Sequence, residues 1–561
     1  MNTDKACIVQ RDFTILLETC HPSYETAREQ IAPYAELVKS PPAFHTYKMT
    51  PLTLWSAAAM GYSADDIIES LVMVSRWNVP ASLIQDVRGI VEKYGKLKLQ
   101  SDDETGECIL VSEEAKWIDQ IQSHKALSSY SFERLTDTKL LIPAKDRGLI
   151  KQQLIRIGYP VMDQAGYKHG SPLAFSWKSI EQGKGTQEFQ LRDYQMEAAN
   201  AFEGSDGLGG SGVLVLPCGA GKTIIGIAVM ERLQCEVLIL TSNTTSVRQW
   251  IREINEKTTI PEASVGEYSG QTKEVRPVTV ATYQIMTHRK NQKDEFTHMK
   301  LFGERSWGLI IYDEVHLLPA PVFRATADIQ ATRRLGLTAT LVREDGCEQD
   351  VFSLIGPKRY DMPWKELELQ GWIAEVDCRE IRVPMEEELK QKYLYAEPRQ
   401  KFRLASENPA KLPVVKRLLD SHPDLPALII GQYVGQLKLL AEELQVPIIT
   451  GATSQQERNR LFADFRKKKI TTLIVSKVAN FAVDLPDAAL AIEVSGSYGS
   501  RQEEAQRLGR ILRPKEGANK AYFYTLVSKD SREQDFALKR QMFLIEQGYE
   551  YHVAAEKEAT L

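Results

Sequence analysis

Residues 213–223 read VLVLPCGAGKT, and this stretch decides how the larger part of the chain folds. Its first four residues are apolar and predict a buried strand, while the ten residues that follow, IIGIAVMERL, predict a helix. A strand that enters a helix through a glycine-rich turn is the setting of a phosphate-binding loop, or P-loop. Leu216 replaces the first glycine of the general pattern. A chance strand–turn–helix is the weaker interpretation, because Gly-Lys-Thr stands in the required place.

Each residue of this turn has an expected task. Gly219 and Gly221, on either side of Ala220, let backbone N–H groups and the helix N-terminus approach phosphate closely. Lys222 is expected to reach the β and γ phosphates of a nucleotide, and Thr223 to ligate Mg²⁺. The sequence therefore predicts ATP and Mg²⁺ as cofactors.

Short apolar runs separated by helical segments recur downstream, as expected for strands buried on both faces of a parallel sheet. They form two series, so we predict an α/β fold with two tandem parallel-sheet P-loop domains after a mixed α+β N-terminal region. The runs lie at 213–217, 236–241, 277–282, 308–314 and 334–340, then at 427–431, 446–450, 471–476, 490–495 and 521–527. A formal GxGxxG at 207–212 precedes a strand, so it predicts a surface loop and no dinucleotide site.

The stretch YDEVHLLPA, residues 312–320, places two carboxylates and a histidine at a strand end. The carboxyl ends of parallel strands face the ligand crevice. There Asp313 can hold Mg²⁺ on the nucleotide, and Glu314 can activate the attacking water as a general base. A solvated acidic strand end is the competing interpretation, and the P-loop upstream weakens it.

Two small hydroxyl residues, Thr338 and Thr340, end the next apolar run and can bond the acidic motif. Taken alone, such residues are more often a strand end or a helix cap. His316 is predicted to link the nucleotide site to Thr338 or to Gln506. A structural, hydrogen-bonded histidine is the alternative.

A basic helix late in the chain carries Gln506, Arg510 and Arg513, and its two arginines lie three residues apart on one face. Guanidinium groups of one domain can stabilise charge on a γ-phosphate held by the other. A solvated basic helix is the alternative. Ahead of the first sheet, Arg192 can stack on a base and Gln195 can read the edge of adenine, although an ordinary helix start would look the same.

Composition and net charge limit the classes of protein to which this chain can belong. The 561 residues carry a net charge of −5, and the pI is about 6.1, so the global basic signal of a nucleic-acid-binding protein is absent. The seven cysteines form no CxxC and no zinc-ligand pattern, which indicates free thiols in a reducing compartment. Because no apolar run of ~18 residues and no signal peptide is present, we expect a cytoplasmic protein without a membrane span.

The motifs LRDYQ, PCGAGKT, DEVH, LTAT and QRLGRILR, in this order, resemble those of superfamily 2 helicases. The match extends to LVRED directly after LTAT, DLPDA at 484–488, SRQEEAQRLGRILRPK at 500–515 and PLTLWSAAAMGYSADDIIESL at 51–71. These stretches resemble the XPB family (xeroderma pigmentosum group B helicases), its bacterial branch in particular. The resemblance implies two RecA-like domains with ATP between them. It also implies ATP hydrolysis coupled to 3′-to-5′ movement on, and opening of, DNA, with a role in repair.

The resemblance assigns further roles by position. Arg343, Glu344 and Asp345 match the family's RED motif, which contributes to duplex opening. Asp484 lies in a segment that couples DNA to ATP, although Asn480 departs from its general Gly-Asp form. DNA contacts are expected mostly on phosphates, which gives weak sequence specificity on single strands and junctions. The candidates for these contacts are Arg248, Gln249, Thr282, Ser476 and Lys477.

The domain limits combine the pattern with the resemblance. We predict an N-terminal family-specific domain at 1–105, a damage-recognition-like domain at 106–180, RecA-like domain 1 with the ATP site at 186–372, RecA-like domain 2 at 373–545, and a C-terminal tail at 546–561. A polar linker is expected at 178–189, and a thumb-like helical insert near 387–411. The resemblance also suggests a nuclease or repair partner, and a monomer is compatible with the sequence.

Three rival functions remain at this point. The first keeps the ATPase but makes it a duplex translocase or a conformational switch without processive unwinding. The second is a DNA-damage binding module with a degenerate ATP site, which the complete set of expected catalytic residues disfavours. The third is a small-molecule P-loop kinase, which leaves the second α/β domain and its arginines unexplained.

Overall fold

A computed structural model describes most of the chain. The described residues are 4–41, 43–102, 105–182, 185–204, 209–289, 296–330, 332–340, 348–476, 488–496, 509, 519–549 and 551–555. The chain folds as two compact units, the first holding most residues up to Asp361 and the second Met362–Leu561. Among the described residues, none of the helices combines the length and apolar character needed to cross a bilayer.

The first unit begins with a four-stranded sheet of order β1-β2-β4-β3, followed by three consecutive helices. The elements are β1 (Cys7–Val9), β2 (Thr14–Glu18), α1 (Tyr24–Ile31), β3 (Glu36–Lys39), β4 (Phe44–Lys48), α2 (Pro51–Ala59), α3 (Ala64–Val74) and α4 (Ala81–Val91). Capping fixes where two helices begin: Thr50 accepts from the Thr53 N–H, and Ser63 from the Asp66 N–H. The sequence of 51–62 and 64–77 has the apolar periodicity of helices, and α2 and α3 form there.

A second, five-stranded sheet of order β7-β8-β6-β5-β9 follows. Its elements are β5 (Leu97–Ser101), β6 (Cys108–Ser112), α5 (Ala115–Ser123), β7 (Glu133–Thr136), β8 (Lys139–Ile142), α6 (Arg147–Arg156) and β9 (Val161–Asp163). The predicted limit between residues 105 and 106 falls inside the hairpin of β5 and β6, which pair from Leu97↔Ser112 to Ser101↔Cys108. The sheet therefore starts before that limit, because β5 needs β6 to satisfy its backbone groups.

The polar stretch at 178–189, predicted to be a linker, is an antiparallel hairpin of β10 (Ser179–Gln182) and β11 (Gly185–Glu188). The prediction was wrong because it used polar composition alone. The hairpin is held by paired backbone groups, which leave no apolar pattern in the sequence. The GxGxxG stretch also differs from the expected surface loop in its described part. Gly209 and Gly210 are buried, and a Cβ on Gly209 would lie 1.7 Å from the carbonyl oxygen of Glu203.

The first large sheet has seven strands, and its described pairings are all parallel, in the order β14-β15-β13-β16-β17-β12-β18. Its elements are α7 (Asp193–Glu203), β12 (Ser211–Val215), α8 (Lys222–Leu233), β13 (Val237–Thr241), α9 (Thr244–Lys257), β14 (Val265–Tyr268), β15 (Val278–Thr282), α10 (Tyr283–Met286), β16 (Leu309–Asp313), α11 (Ala320–Asp328), β17 (Arg333–Thr338), α12 (Glu348–Leu354) and β18 (Lys358–Asp361). Strands β12, β13 and β15 are buried along their whole length, which explains their continuous apolar runs.

The second unit holds another seven-stranded parallel sheet, of order β21-β22-β20-β23-β24-β19-β25. Its elements are α13 (Trp364–Leu369), β19 (Glu375–Val383), α14 (Glu387–Tyr395), α15 (Pro398–Ser406), α16 (Lys411–Ser421), β20 (Ala427–Gly431), α17 (Val434–Leu444), β21 (Ile448–Ile449), α18 (Gln455–Arg466), β22 (Thr472–Ser476), β23 (Leu490–Glu493), β24 (Lys520–Ser528), α19 (Arg532–Glu546) and β25 (Tyr551–Ala555). The predicted class, two tandem parallel α/β domains after a mixed region, is confirmed.

Two expectations for the second unit have different outcomes. The stretch near 387–411 does contain two helices, α14 and α15, although its thumb-like role stays a prediction. The predicted C-terminal tail at 546–561 is wrong in part, because β25 is the edge strand of the sheet and pairs with β19. The remaining domain limits stay predictions.

Candidate active site

The strand order brings the P-loop and the acidic motif to neighbouring strand ends. β17 lies between β12 and β16, with Val215 opposite Thr338 and Asp313 opposite Leu337. The P-loop leaves the carboxyl end of β12, and Asp313 ends β16. Residues about 100 positions apart in sequence therefore meet at one edge of the sheet, as parallel strands require.

The P-loop backbone depends on two glycines with left-handed φ angles, +88° at Gly219 and +77° at Gly221. A Cβ on Gly221 would lie 2.7 Å from Nε2 of Gln195, so this glycine also makes room for that side chain. Gln195 is held in place because its Oε1 accepts the backbone N–H of Arg192 at 3.1 Å. The structure thus brings the predicted Gln195 against the P-loop, while the Arg192 guanidinium donates to the hydroxyl of Tyr194 at 3.2 Å.

Lys222 is the first residue of α8, and its ammonium group reaches back across the loop. Its Nζ lies 3.4 Å from the carbonyl oxygen of Leu216 and 3.9 Å from Oε1 of Glu314. The lysine is mostly buried between these two groups. Thr223, the next residue of the helix, is half-buried. The cation and the acidic motif are therefore already within ion-pair distance.

Asp313 is half-buried at the end of β16, and the indole Nε1 of Trp250 donates to its Oδ2 at 2.9 Å. Burial, reinforced by the negative charge of Glu314, raises the pKa of Asp313 to about 6, while Trp250 and Lys222 act in the opposite direction. A carboxylate that is costly to ionise gains most from a nearby cation. The backbone is also tied down, since the hydroxyl of Tyr283 donates to the Asp313 carbonyl oxygen at 2.9 Å.

Glu314 has an unusual backbone for a residue with a side chain. Its φ is 52° and its ψ 54°, the left-handed region that costs about 1 kcal/mol or more outside glycine. This turn directs the chain out of β16 into a short 3₁₀ helix that contains His316. Oε2 of Glu314 lies 3.5 Å from Nδ1 of His316. The strained residue is thus the one that stands between Lys222 and the histidine.

His316 is buried, and its Nδ1 lies 2.7 Å from Oγ1 of Thr338. The same hydroxyl lies 2.5 Å from the carbonyl oxygen of Thr340 and accepts that residue's N–H at 3.2 Å. A continuous chain of hydrogen-bonding groups therefore runs from the acidic motif to the tip of β17. The other partner predicted for His316, Gln506, lies outside the described residues.

The predicted DNA-contact residues have different environments. Arg248 is exposed on α9 and Gln249 half-buried, with Arg248 Nη2 at 3.5 Å from Oε1 of Gln271. Thr282 is buried and caps α10, because its Oγ1 accepts the N–H of Ile285 at 3.2 Å. Burial, and not this cap, disfavours Thr282 as a DNA ligand, because a hydroxyl that accepts an N–H can still donate its own hydrogen to a phosphate oxygen. Ser476 is buried at the end of β22.

Several predicted residues cannot be placed, because they lie outside the part of the chain that the structure describes. They are Arg343, Glu344, Asp345, Lys477, Asp484, Gln506, Arg510 and Arg513. Their roles stay predictions.

Sequence reasoning missed two residues that hold Asp313, namely Trp250 and Tyr283. Trp250 follows the apolar period of α9 and is almost fully buried, so its pattern is that of a core residue. Only the fold shows that its N–H, which a buried indole must satisfy, points at a carboxylate. Tyr283 gave no signal, because a tyrosine directly after a buried strand is common.

Comparison with known proteins agrees with this architecture. The family described as ERCC3/RAD25/XPB C-terminal helicase matches residues 367–560, "Type III restriction enzyme, res subunit" matches 188–343, and "Helicase conserved C-terminal domain" matches 7–136. The chain is 50% identical over 551 residues to a protein of Kineococcus radiotolerans named DNA 3'-5' helicase XPB, with 98% of this chain and 96% of the relative covered.

Two further relatives extend the comparison. A Mycobacterium tuberculosis protein of the same name is 49% identical over 549 residues, covering 98% of this chain and 97% of the relative. The "General transcription and DNA repair factor IIH helicase/translocase subunit XPB" of Enterocytozoon bieneusi is 33% identical over 568 residues, covering 97% and 91%. With half of its residues identical over nearly its whole length, the chain belongs to the XPB family of superfamily 2 DNA helicases.

Proposed function

We propose that this chain is an ATP-dependent DNA helicase that couples ATP hydrolysis to 3′-to-5′ movement on DNA and to its opening. The observation that carries the ATPase part is the meeting of Lys222, Asp313 and Glu314 at one sheet edge, beside a P-loop with two left-handed glycines. The direction of movement comes from the bacterial relatives, which are named DNA 3'-5' helicases.

The residues of this edge would divide the hydrolysis between them. The N–H groups around Gly219 and Gly221 would bind the phosphates, and the Lys222 ammonium would neutralise the β and γ oxygens. Glu314 would accept a proton from the attacking water, so that the hydroxide oxygen bonds to the γ-phosphorus as the bond to ADP breaks. The left-handed backbone of Glu314 would hold its carboxylate towards that water.

The donor set suits Mg²⁺, which prefers hard oxygen ligands and binds through one or two protein groups plus nucleotide phosphates. Asp313 offers a carboxylate whose ionisation a cation would favour, and Thr223 offers a hydroxyl one residue after Lys222. Mg²⁺ bound there with ATP would offset the negative charge that develops on the phosphates. Trp250 keeps the Asp313 carboxylate in one orientation for this purpose.

The remaining roles rest on position in the sequence. Arg510 and Arg513 would stabilise the transferring γ-phosphoryl group, with Gln506 beside them. Arg192 and Gln195 would recognise the adenine base, and Arg343, Glu344 and Asp345 would act in strand opening. Arg248, Gln249, Thr282, Ser476 and Lys477 are the proposed DNA contacts, and two of them, Thr282 and Ser476, are buried. Asp484 and His316 would couple ATP hydrolysis to movement on DNA.

Replacement of Glu314 tests the core of the proposal. Glu314→Gln should keep ATP binding, because the amide retains the size of the side chain, yet lose hydrolysis by about a hundredfold or more. Nucleotide binding would be followed with a fluorescent ATP analogue, and turnover with and without single-stranded DNA. Near-normal turnover in the variant would remove Glu314 from the general-base role.

Strand displacement is the measurement that distinguishes a helicase from a translocase. Strand displacement on 3′-tailed duplexes, with 5′-tailed and blunt duplexes as controls, should require the 3′ tail. Hydrolysis without displacement would favour a duplex translocase or conformational switch. The relative from Enterocytozoon bieneusi is named a "helicase/translocase" subunit, which is compatible with either result. We further propose a cytoplasmic monomer that acts on single strands and junctions with a nuclease or repair partner.

A further inference from the structure

A buried cationic cluster lies at the amino end of the first parallel sheet, the opposite end from the P-loop. Arg147 Nη2 donates to Asp163 Oδ1 at 2.7 Å, and Lys151 Nζ donates to Asp163 Oδ2 at 2.6 Å. Each of these three side chains is less than a tenth exposed. Arg334, which is fully buried, adds a third positive charge that acts on both Arg147 and Lys151.

One carboxylate does not offset three cations. Burial by itself would raise the pKa of Asp163, but the positive charges of Lys151 and Arg147 hold this pKa well below the usual range. Burial, with added repulsion from Arg334 and Arg147, lowers the pKa of Lys151 to about 8 in spite of Asp163. The cluster therefore carries surplus positive charge in a dry environment, which is costly unless an anion accompanies it.

A cavity of about 60 Å³ opens directly on this cluster. At about 15 Å³ per water, this space holds about four waters, which is also enough for one tetrahedral oxyanion. Its polar lining comes from Lys151, Asp163, Ser211, Ser353 and Arg359, and apolar side chains that include Ile155 and Phe352 complete the wall. Arg359 is half-buried, and its Nε donates to the carbonyl oxygen of Ser211 at 3.3 Å, so its guanidinium is held at the wall of the cavity.

We propose that this cavity binds a phosphate-sized oxyanion. Lys151 Nζ has two hydrogens beyond the one given to Asp163, and the Arg359 guanidinium and the Ser211 hydroxyl supply further donors. Asp163 does not repel such an anion strongly, because the positive charges of Arg147 and Lys151, which both form ion pairs with it, offset its own charge. The ligand would be free orthophosphate or a phosphodiester of DNA, which present the same oxygen atoms.

The site would join two parts of the first unit. Lys151 and Asp163 belong to α6 and β9 of the five-stranded region, whereas Ser211 and Arg359 belong to β12 and β18 of the first parallel sheet. An anion bound by both sides would strengthen their docking. Occupancy of the cavity would therefore raise the stability of the first unit.

The test measures anion binding to the full-length protein in a Lys222→Ala background, which weakens phosphate binding at the P-loop. Orthophosphate and a short single-stranded oligonucleotide are titrated separately by calorimetry at constant ionic strength, with chloride as the reference anion. One saturable orthophosphate site is expected, and Arg359→Gln should weaken it by about tenfold to a hundredfold, the usual effect of one charge-assisted hydrogen bond. Lys151→Met, checked for folding by circular dichroism, should have a similar effect.

Lys358→Gln is the matched control, because it removes the same charge from the preceding position of β18, where Lys358 pairs with Asp361 and does not line the cavity. It should leave the affinity unchanged. Competition between orthophosphate and the oligonucleotide would identify the phosphodiester as the ligand, and its absence would identify free phosphate. No saturable binding, or equal loss in Arg359→Gln and Lys358→Gln, would overturn the proposal.

Discussion

The indole N–H of Trp250 donates to Oδ2 of Asp313 across 2.9 Å, from α9 to the end of β16. The bond fixes one carboxylate oxygen of the residue that we propose as the Mg²⁺ ligand. It also joins two segments that lie 63 residues apart in the sequence. The orientation of the acidic motif thus depends on a residue that resembles ordinary core.

Trp250→Phe should raise the Mg²⁺ concentration needed for half-maximal ATPase activity by about tenfold, because a hydrogen bond to a charged group is lost. The rate at saturating Mg²⁺ should fall less. The measurement is a Mg²⁺ titration of turnover at fixed ATP. Trp307→Phe is the control, since this buried tryptophan donates to the Leu301 carbonyl oxygen instead. An equal shift in both variants would mean general destabilisation.

Thr338→Val should reduce the stimulation of ATPase activity by DNA about tenfold, because the valine cannot bond His316 or Thr340. The rate without DNA and the affinity for ATP should change little. Thr279→Val provides the comparison: it removes an equally buried hydroxyl of β15 that, among the described residues, bonds the backbone of Arg276 alone. If DNA stimulation survives in Thr338→Val, the hydrogen-bonded chain from His316 does not carry the coupling.

Gly221→Ala should abolish measurable ATP binding. The new Cβ would lie 2.7 Å from Nε2 of Gln195, and the +77° φ angle disfavours any side chain. Either the P-loop or Gln195 must then move. Binding of a fluorescent nucleotide measures the effect, and Gly270→Ala, where a Cβ meets open space, should bind normally. Retained binding in Gly221→Ala would show that the loop adapts.

His45 should make the N-terminal sheet sensitive to acid. Burial, with a smaller effect from Arg28, lowers the pKa of His45 to about 4, and its Nδ1 lies 2.8 Å from the hydroxyl of Tyr24. Because the unfolded chain binds the proton with a pKa of about 6.5, stability is present above that pH and lost as pH falls towards 4. The loss between pH 7 and pH 5 should be about 2 kcal/mol.

Denaturant unfolding at both pH values would measure this loss, with His45→Gln as the variant. The free energy of unfolding of the wild type relative to His45→Gln should fall by about 2 kcal/mol on going to pH 5. His21→Gln, which removes a half-buried histidine of the same region, is the control variant. A constant difference between wild type and His45→Gln would contradict the assignment.

The sequence allowed the sheets to be predicted well because fully buried parallel strands produce continuous apolar runs that few other structures produce. The P-loop and Asp313 followed from the same pattern, since both lie at strand ends. Trp250 could not be predicted, because a side-chain bond between distant segments leaves no periodic trace. The hairpin of β10 and β11 and the strand β25 were missed because their pairing uses backbone groups, which composition does not reveal.

The C-terminal strand has a consequence for biosynthesis. β19 pairs on one side with β24 and on the other with β25. The second sheet therefore cannot be completed until Tyr551–Ala555 have left the ribosome. At ordinary rates of translation, the roughly 170 residues from Val383, the end of β19, to Tyr551, the start of β25, take about 8–34 s to synthesise. During that interval the β19 edge is without its partners, and a nascent chain is most exposed there to mispairing or to capture by chaperones.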